Sequence, residues 1–155
     1  MQNHSKLVGY FFLYSFLGWI IDTADRSWVA GHYSVGSVLP VPLCPIYGFG
    51  VVASLLLAPL LRKLPLLFEG LIYGVALAVM EFLTGEFFLR MFHRRLWNYP
   101  TGFMNLDGFT DVFHVLLWGT AALLVVYFIH PFINALLRKM RLSFLDKYFI
   151  GQHVS

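Results

Sequence analysis

The chain has 155 residues, of which 59% are hydrophobic and 18% aromatic, and a formal net charge of +3. This composition excludes an ordinary soluble domain, and the single cysteine excludes an intramolecular disulfide framework. The small positive charge is spread among the loops and does not favour nucleic-acid binding, because anionic lipid head groups explain basic residues beside a bilayer.

Two long stretches, residues 27–61 and 112–137, contain no Asp, Glu, Lys or Arg. Uncharged apolar runs of this length can cross a bilayer core of about 30 Å as helices. The sequence therefore predicts an all-α fold, a polytopic transmembrane helical bundle that forms a single integral-membrane domain over residues 1–155. About four spanning helices are expected, with a re-entrant or interfacial segment. Their approximate bounds are 7–24, 46–61, 65–90 and 112–137.

The first span ends in Asp22 and Arg26, whose i, i+4 spacing predicts an ion pair. The stretch that follows is rich in proline and has no charge, so it is extended rather than helical. Apolar extended backbone is tolerated at membrane depth only where protein buries it or where it lines a cavity. It is interpreted either as a re-entrant segment or as a loop in the head-group layer. The re-entrant interpretation involves Pro42, Cys44, Pro45, Tyr47 and Gly48, with Cys44 as a packing residue rather than a nucleophile.

Span three carries Gly70, Gly74 and Ala78 at four-residue intervals, a pattern that allows helices to approach closely. We expect this face to pack against another helix, and it also offers an interface for a second copy. Pro59 and Pro131 are expected to kink or end their helices.

Three glutamates, Glu69, Glu81 and Glu86, interrupt span three. A carboxylate within a membrane is costly and tends to be paired and functional. Glu81 has no cation at i+4, because position 85 is glycine, whereas Glu86 can pair with Arg90 on another face. A purely structural role, in which Glu81 bonds a neighbouring helix, is the alternative.

The surrounding stretch concentrates the polar residues of the chain. If the fourth helix begins early, Asp107, Asp111 and His114 share a face. We expect a polar intramembrane cavity lined by the following residues: Glu81, Thr84, Glu86, Arg90, His93, Arg94, Trp97, Tyr99, Asn105, Asp107, Asp111 and His114.

The chemistry of this cavity is open. Its histidines and carboxylates could ligate a metal, but no compact ligand motif is present, so neither a metal nor another cofactor is expected. No Ser or Cys stands in a nucleophile motif, which favours a non-enzymatic protein. The arginines, including Arg95, could instead hold the phosphate of a lipid or isoprenoid head group, with Glu81, Asp107 or His114 as acid or base.

Several motifs together resemble a known family. They are Phe16-Leu17-Gly18-Trp19, Cys44-Pro45-Ile46-Tyr47-Gly48-Phe49-Gly50, Glu81-Phe82-Leu83-Thr84-Gly85, Leu96-Trp97-Asn98-Tyr99, Asn105-Leu106-Asp107-Gly108 and Trp118-Gly119. They are similar to small bacterial membrane proteins described as putative ABC-transporter type IV, or putative ABC transporter permease. The resemblance implies an inner-membrane protein with a part in transport.

The leading hypothesis is accordingly a permease-like transport component in contact with membrane lipids. Four spans are few for a complete pathway, so a homo-oligomer or a partner subunit is expected. The sequence has no Gly-x-x-x-x-Gly-Lys-Ser/Thr phosphate loop, so any ATPase would be a separate chain. The alternatives are the lipid head-group enzyme and a non-catalytic membrane assembly factor.

The distribution of basic residues predicts that both termini are cytoplasmic. With four spans, seven basic residues share the side of the termini, namely Lys6, Arg62, Lys63, Arg138, Lys139, Arg141 and Lys147, against four on the other side, namely Arg26, Arg90, Arg94 and Arg95. A C-terminal green fluorescent protein fusion should fluoresce, and a C-terminal alkaline phosphatase fusion should be inactive. Fusions after Arg95 should give the opposite result, and active phosphatase at the C-terminus would contradict the prediction.

Overall fold

The computed structural model describes residues 4–99 and 101–149, and the side chains of residues 6–99 and 101–140. The described chain is helical apart from two long connections and the short turn between α2 and α3. Its elements are α1 (His4–Ala30), α2 (Pro45–Leu61), α3 (Leu66–Phe92), α4 (Val112–Leu124), a π-helix (Val125–Ile129) and α5 (His130–Phe149). The all-α bundle predicted from the sequence is confirmed. Arg141 and Lys147, used in the topology argument, have side chains outside the described residues.

Three helical stretches of the described chain are long and apolar enough to cross a membrane, namely Lys6–Ala30, Leu66–Phe92 and Val112–Met140. The other predicted span, α2, is a shorter apolar helix of 17 residues. Helix α1 continues beyond the predicted end at residue 24, and Arg26 Nε lies 2.8 Å from Asp22 Oδ2 on this last part. The predicted Asp22–Arg26 ion pair is therefore confirmed.

The helices associate as two pairs. Helix α1 packs along α2 and helix α3 packs along α4, whereas the pairs meet through α2, which approaches α3, α4 and the π-helix. The main apolar core lies at this meeting point. Its buried members are Leu55, Ala58, Leu61, Tyr73, Ala122 and Val126.

The small residues of α3 serve packing within the chain. A Cβ atom at Gly74 would overlap the backbone carbonyl of Val115, and one at Gly119 would overlap that of Gly70. Glycine therefore permits the close approach of α3 and α4 at both positions. Because α4 covers Gly70 and Gly74, these two residues are not available as an interface for a second copy, which corrects one of the expectations above.

The two membrane-region prolines have different effects. Pro59 lies inside α2, which runs on to Leu61 without a break. Pro131 follows the π-helix, where the amide of His130 donates to the carbonyl of Val125, five residues back. Proline has no N–H and clashes with the preceding turn of an α-helix, which accounts for a widened turn just before it.

The connection between α1 and α2 runs back along α1. The amide of Gly36 donates to Thr23 Oγ1 at 3.0 Å, and the amide of Cys44 donates to the carbonyl of Ser15 at 2.9 Å. Ser15 lies fifteen residues before the end of α1, or about 22 Å along its axis at 1.5 Å per residue. Helix α2 therefore begins beside the middle of α1.

We expect Gly119→Ala to destabilise the protein by about 1–3 kcal/mol, because the added methyl group would push α4 away from the Gly70 carbonyl. Thermal unfolding in detergent would measure this loss. Gly9→Ala is the matched control, because a Cβ at Gly9 has no atom within 4 Å. Equal melting temperatures for the Gly119 variant and the unmodified protein would contradict the close packing of α3 and α4.

Candidate functional site

The connection between α3 and α4 is a folded loop. Helix α3 ends at Phe92, and the next residue, His93, caps it in a left-handed conformation with φ of 51°. The loop is then closed by a backbone bond from Tyr99 N to Gly108 O (2.8 Å) and one from Leu106 N to Thr110 O (2.8 Å). Asn105 joins its two arms, since its Nδ2 donates to Tyr99 O at 2.7 Å and its Oδ1 accepts from Gly108 N at 2.6 Å. The loop thus holds Tyr99 over the end of the α3/α4 pair.

Glu81 is the centre of the polar cluster, with only 5% of its surface exposed. Tyr99 Oη donates to Glu81 Oε1 at 2.9 Å, and Trp118 Nε1 donates to Glu81 Oε2 at 2.9 Å. Burial and the nearby carboxylate raise the pKa of the Tyr99 hydroxyl, which therefore remains a donor. Among the described side chains, no Lys, Arg or His nitrogen lies within ion-pair distance of Glu81.

His114 and Asp111 adjoin this cluster through Tyr99. The His114 ring stacks on the Tyr99 ring, with centroids 3.6 Å apart and planes at 19°. Asp111 caps the N-terminus of α4, where its Oδ1 accepts from His114 N at 2.9 Å and lies 2.7 Å from His114 Nδ1. Burial alone would raise the pKa of Asp111, but these hydrogen bonds from His114 outweigh it and lower that pKa. Asp111, His114, Tyr99 and Glu81 therefore lie next to one another in space, in that order.

Tyr47 connects this cluster with the α1/α2 pair. Its ring meets the Trp118 ring edge to face, with centroids 6.2 Å apart, and its hydroxyl donates to Asp22 Oδ1 at 3.4 Å. Asp22 in turn pairs with Arg26. Polar groups of α1, α2, α3, α4 and the α3–α4 loop thus form one cluster, which we call the Glu81 cluster: Asp22, Arg26, Tyr47, Glu81, Tyr99, Asp111, His114 and Trp118.

Other predicted cavity residues make contacts of their own. Arg90 Nε pairs with Glu86 Oε2 at 2.6 Å, and Thr84 Oγ1 donates to the carbonyl of Met80 at 2.7 Å. His93 and Arg94 are exposed at the end of α3. The predicted separation of Glu81 and Glu86 onto different faces is confirmed.

Arg95 and Trp97 stabilise the loop. Arg95 Nη1 donates to the carbonyl of Asp107 at 2.7 Å, and its guanidinium lies 4.4 Å from the centre of the Phe109 ring. Trp97 Nε1 donates to the carbonyl of Phe109 at 3.0 Å. Asp107 has a φ of 51° and precedes α4, which begins at Val112. The expectation that Asp107 shares a helical face with Asp111 and His114 is therefore wrong, because the left-handed turn at Asp107 prevents a helix there.

Trp118 and Glu69 were not among the predicted site residues. Trp118 lies four residues after His114, which places both side chains on one face of α4. Glu69 is 1% exposed, and its Oε2 accepts from Tyr127 Oη at 2.7 Å. Its partner is 58 residues away in sequence, and only the tertiary structure brings the two together.

A shallow groove of about 410 Å³ runs along α3 and is almost entirely apolar. Of the predicted cavity residues, only Thr84 lines it, together with Ala76, Val79, Met80, Leu83 and Phe87.

In the described part of the chain, no three His, Cys, Asp or Glu side chains are grouped so that they could hold a metal ion.

Cys44 lies at the start of α2 and should react slowly with thiol reagents. Burial and the negative charge of Asp22 raise the pKa of its thiol from 9.0 to about 11. Because the thiolate is the reactive form, we expect maleimide labelling near neutral pH to be about 100-fold slower than for an ordinary thiol of pKa 9.0. The rate should rise with pH up to about 11, and denatured protein serves as the control. Equal rates in folded and denatured protein would exclude the buried, unreactive thiol.

Neither a curated protein nor a solved structure matches the chain. A family model described as putative ABC-transporter type IV matches residues 9–151, which include both connections and every residue of the Glu81 cluster. The resemblance seen in the sequence motifs is thereby confirmed, and the chain belongs to the putative ABC-transporter type IV family.

Proposed function

We propose that this membrane protein is a permease-like transport component of the bacterial inner membrane, and that the Glu81 cluster lies on the path of the transported substrate. The observation that carries the proposal is the environment of Glu81. It is a buried carboxylate in the middle of a long apolar helix, and its bonds go to a phenol and an indole rather than to a cation. Ionisable groups inside a membrane commonly mark substrate or ion pathways.

The position of the cluster between the two helix pairs supports this role. Tyr47 and Asp22 belong to the α1/α2 pair, whereas Glu81 and Trp118 belong to the α3/α4 pair. The two halves of the cluster meet through the edge-to-face contact of the Tyr47 and Trp118 rings, without a hydrogen bond between those two side chains. A relative movement of the two pairs would separate the halves and give a substrate access to the carboxylates of Asp22 and Glu81.

The α1–α2 connection provides a second line of support. Transporters often build their substrate sites from discontinuous helices whose irregular backbone lies at membrane depth. Here the bond from Cys44 to Ser15 brings the start of α2 to the middle of α1, beside the Tyr47 and Asp22 side chains. We propose that Pro42, Cys44, Pro45, Tyr47 and Gly48 form a re-entrant segment on one side of the path. The polar cavity expected from the sequence would open beside this segment.

Transport would require further subunits. The described part of the chain has four apolar helical stretches, and the sequence has no phosphate loop, so we propose that the protein acts as a homo-oligomer or with a partner subunit, such as a separate ATPase. An oligomer interface would have to use a face other than Gly70 and Gly74, which α4 covers.

The lipid head-group enzyme receives less support. Arg90 is paired with Glu86, and Arg95 is bonded to the loop, so two of the three arginines expected to hold a phosphate have partners within the chain.

An assembly factor remains the other candidate, because a cluster of bonded polar groups also stabilises a bundle. It predicts that substitutions in the cluster reduce folded yield and activity together.

The first experiment is purification of the tagged protein from its native membrane in mild detergent, followed by mass spectrometry. A stoichiometric ATPase whose hydrolysis rate depends on this chain supports the transport proposal. Recovery of the chain with only a specific bound lipid contradicts the ATP-driven form of it and favours the enzyme.

Substitution of Glu81 separates transport from assembly. In the complex with its ATPase, we expect Glu81→Gln to reduce the coupled hydrolysis rate at least about tenfold, equivalent to about 1.4 kcal/mol, while folded yield is retained. The amide has nearly the same shape but lacks the charge. Glu86→Gln is the matched control, because Glu86 lies five residues further along α3, on another face and in an ion pair with Arg90. Native rates for the Glu81 variant would remove the central residue of the proposal, and parallel loss of yield and rate would favour an assembly role.

A further inference from the structure

A second polar cluster lies between α1 and α5, apart from the Glu81 cluster. His130 Nδ1 is 3.1 Å from Tyr14 Oη, and His130 Nε2 is 2.9 Å from Asn134 Nδ2. Tyr10 Oη donates to Asn134 Oδ1 at 2.5 Å, and the Tyr10 ring meets the His130 ring edge to face with centroids 4.6 Å apart. Both ring nitrogens of His130 are therefore engaged.

The direction of these bonds determines the protonation state of His130. Because Tyr10 donates to the amide oxygen of Asn134, the amide nitrogen of Asn134 faces His130 Nε2. An amide nitrogen only donates, so Nε2 must accept and can carry no hydrogen. The single ring hydrogen is then on Nδ1 and points at the oxygen of Tyr14. The cluster is complete only with neutral histidine.

These side chains are the link between α1 and α5. No Cα atom of α1 lies within 8 Å of a Cα atom of α5 in the described structure, so the helices meet through long side chains. Tyr14 is 4% exposed, and its bond to His130 is partly buried.

The π-helix places His130 in this position. His130 N–H donates to Val125 O across the widened turn, and Pro131 follows immediately. An α-helical turn instead of the π turn would rotate His130 by about 100° around the helix axis and away from Tyr14. The π-helix, a feature often found at functional sites, therefore has a specific consequence here.

We propose that His130 is a proton-binding site and that binding a proton releases α1 from α5. A proton on Nε2 would face the amide hydrogens of Asn134, which places two donors against each other. It would also add a positive charge near Arg62 in the α2–α3 turn, and the two positive charges would repel each other. The other titratable groups facing the ring are Tyr10 and Tyr14 of α1. Acidification would thus separate α1 from α5.

Spin labels on α1 and α5 test this response. The labels are placed at Phe12→Cys and Phe132→Cys, which replace exposed side chains on the two helices, in a Cys44→Ala background. We expect a single short distance at about pH 8 and a longer or broader distribution at about pH 5, on either side of the usual histidine pKa of about 6.5. His130→Gln should remove this pH response, and His32→Gln, in the exposed α1–α2 loop, should keep it. A distance that is the same at both pH values, or a response that persists in His130→Gln, overturns the proposal.

A second measurement covers the case in which His130→Gln does not fold. Nitrogen NMR of protein with labelled histidine rings reports which nitrogen carries the hydrogen. The protein carries His114→Gln, because His114 Nδ1 also faces an acceptor, Asp111. One ring should show its hydrogen on Nδ1 at about pH 8 and become doubly protonated as the spin-label distance changes. A spectrum with hydrogen only on Nε2 positions would overturn the assigned bond directions and the proposal with them.

Discussion

The arrangement of one end of the protein depends on the two hydrogen bonds that the Glu81 carboxylate accepts. The interior of a membrane has no water to solvate a carboxylate, so its oxygens need donors from the protein. Glu81 finds one donor in Trp118 of α4 and another in Tyr99 of the α3–α4 loop. The same bonds hold the loop over the helix pair, which is why the loop is ordered by side chains as well as by its own backbone.

Close packing complements these polar bonds. Glycines at Gly70, Gly74 and Gly119 bring the backbones of α3 and α4 into contact between Glu81 at one end and Glu69 at the other. Small residues favour helix association in membranes, where lipid removes much of the hydrophobic driving force. The α3/α4 pair is therefore joined along its length by contacts that tolerate little change, whereas the described side chains of α1 and α5 meet through hydrogen bonds and aromatic ring contacts at His130 and Asn134.

This difference in packing suggests where movement is concentrated. A tightly packed pair moves as a unit, and the weaker contacts between pairs are the places where two arrangements can have similar free energies. The Tyr47–Trp118 contact lies between the two pairs, and the His130 cluster lies between α1 and α5. The proposed substrate path and the proposed proton site thus both involve contacts of α1 or α2 with other helices.

The local parts of the site were predictable from the sequence, because they depend on residues close in the chain. Asp22 and Arg26 pair as their four-residue spacing indicates, and Glu86 pairs with Arg90 for the same reason. Glu81 was singled out because no cation follows it at i+4. Its donors were not identified as a pair, since Trp118 is 37 residues away and Tyr99 depends on the fold of the loop.

The sequence by itself determined that this is an all-helical membrane protein, that it has helices long and apolar enough to cross a membrane, and which family it belongs to. Uncharged run length and short motifs are properties of contiguous residues. Only the tertiary structure decided that the Gly70 face packs within the chain, that Asp107 leaves the helix, and that Glu69 and His130 have buried partners. These outcomes depend on contacts between residues far apart in sequence, and hydropathy and spacing along one helix carry no information about which distant side chain completes a bond.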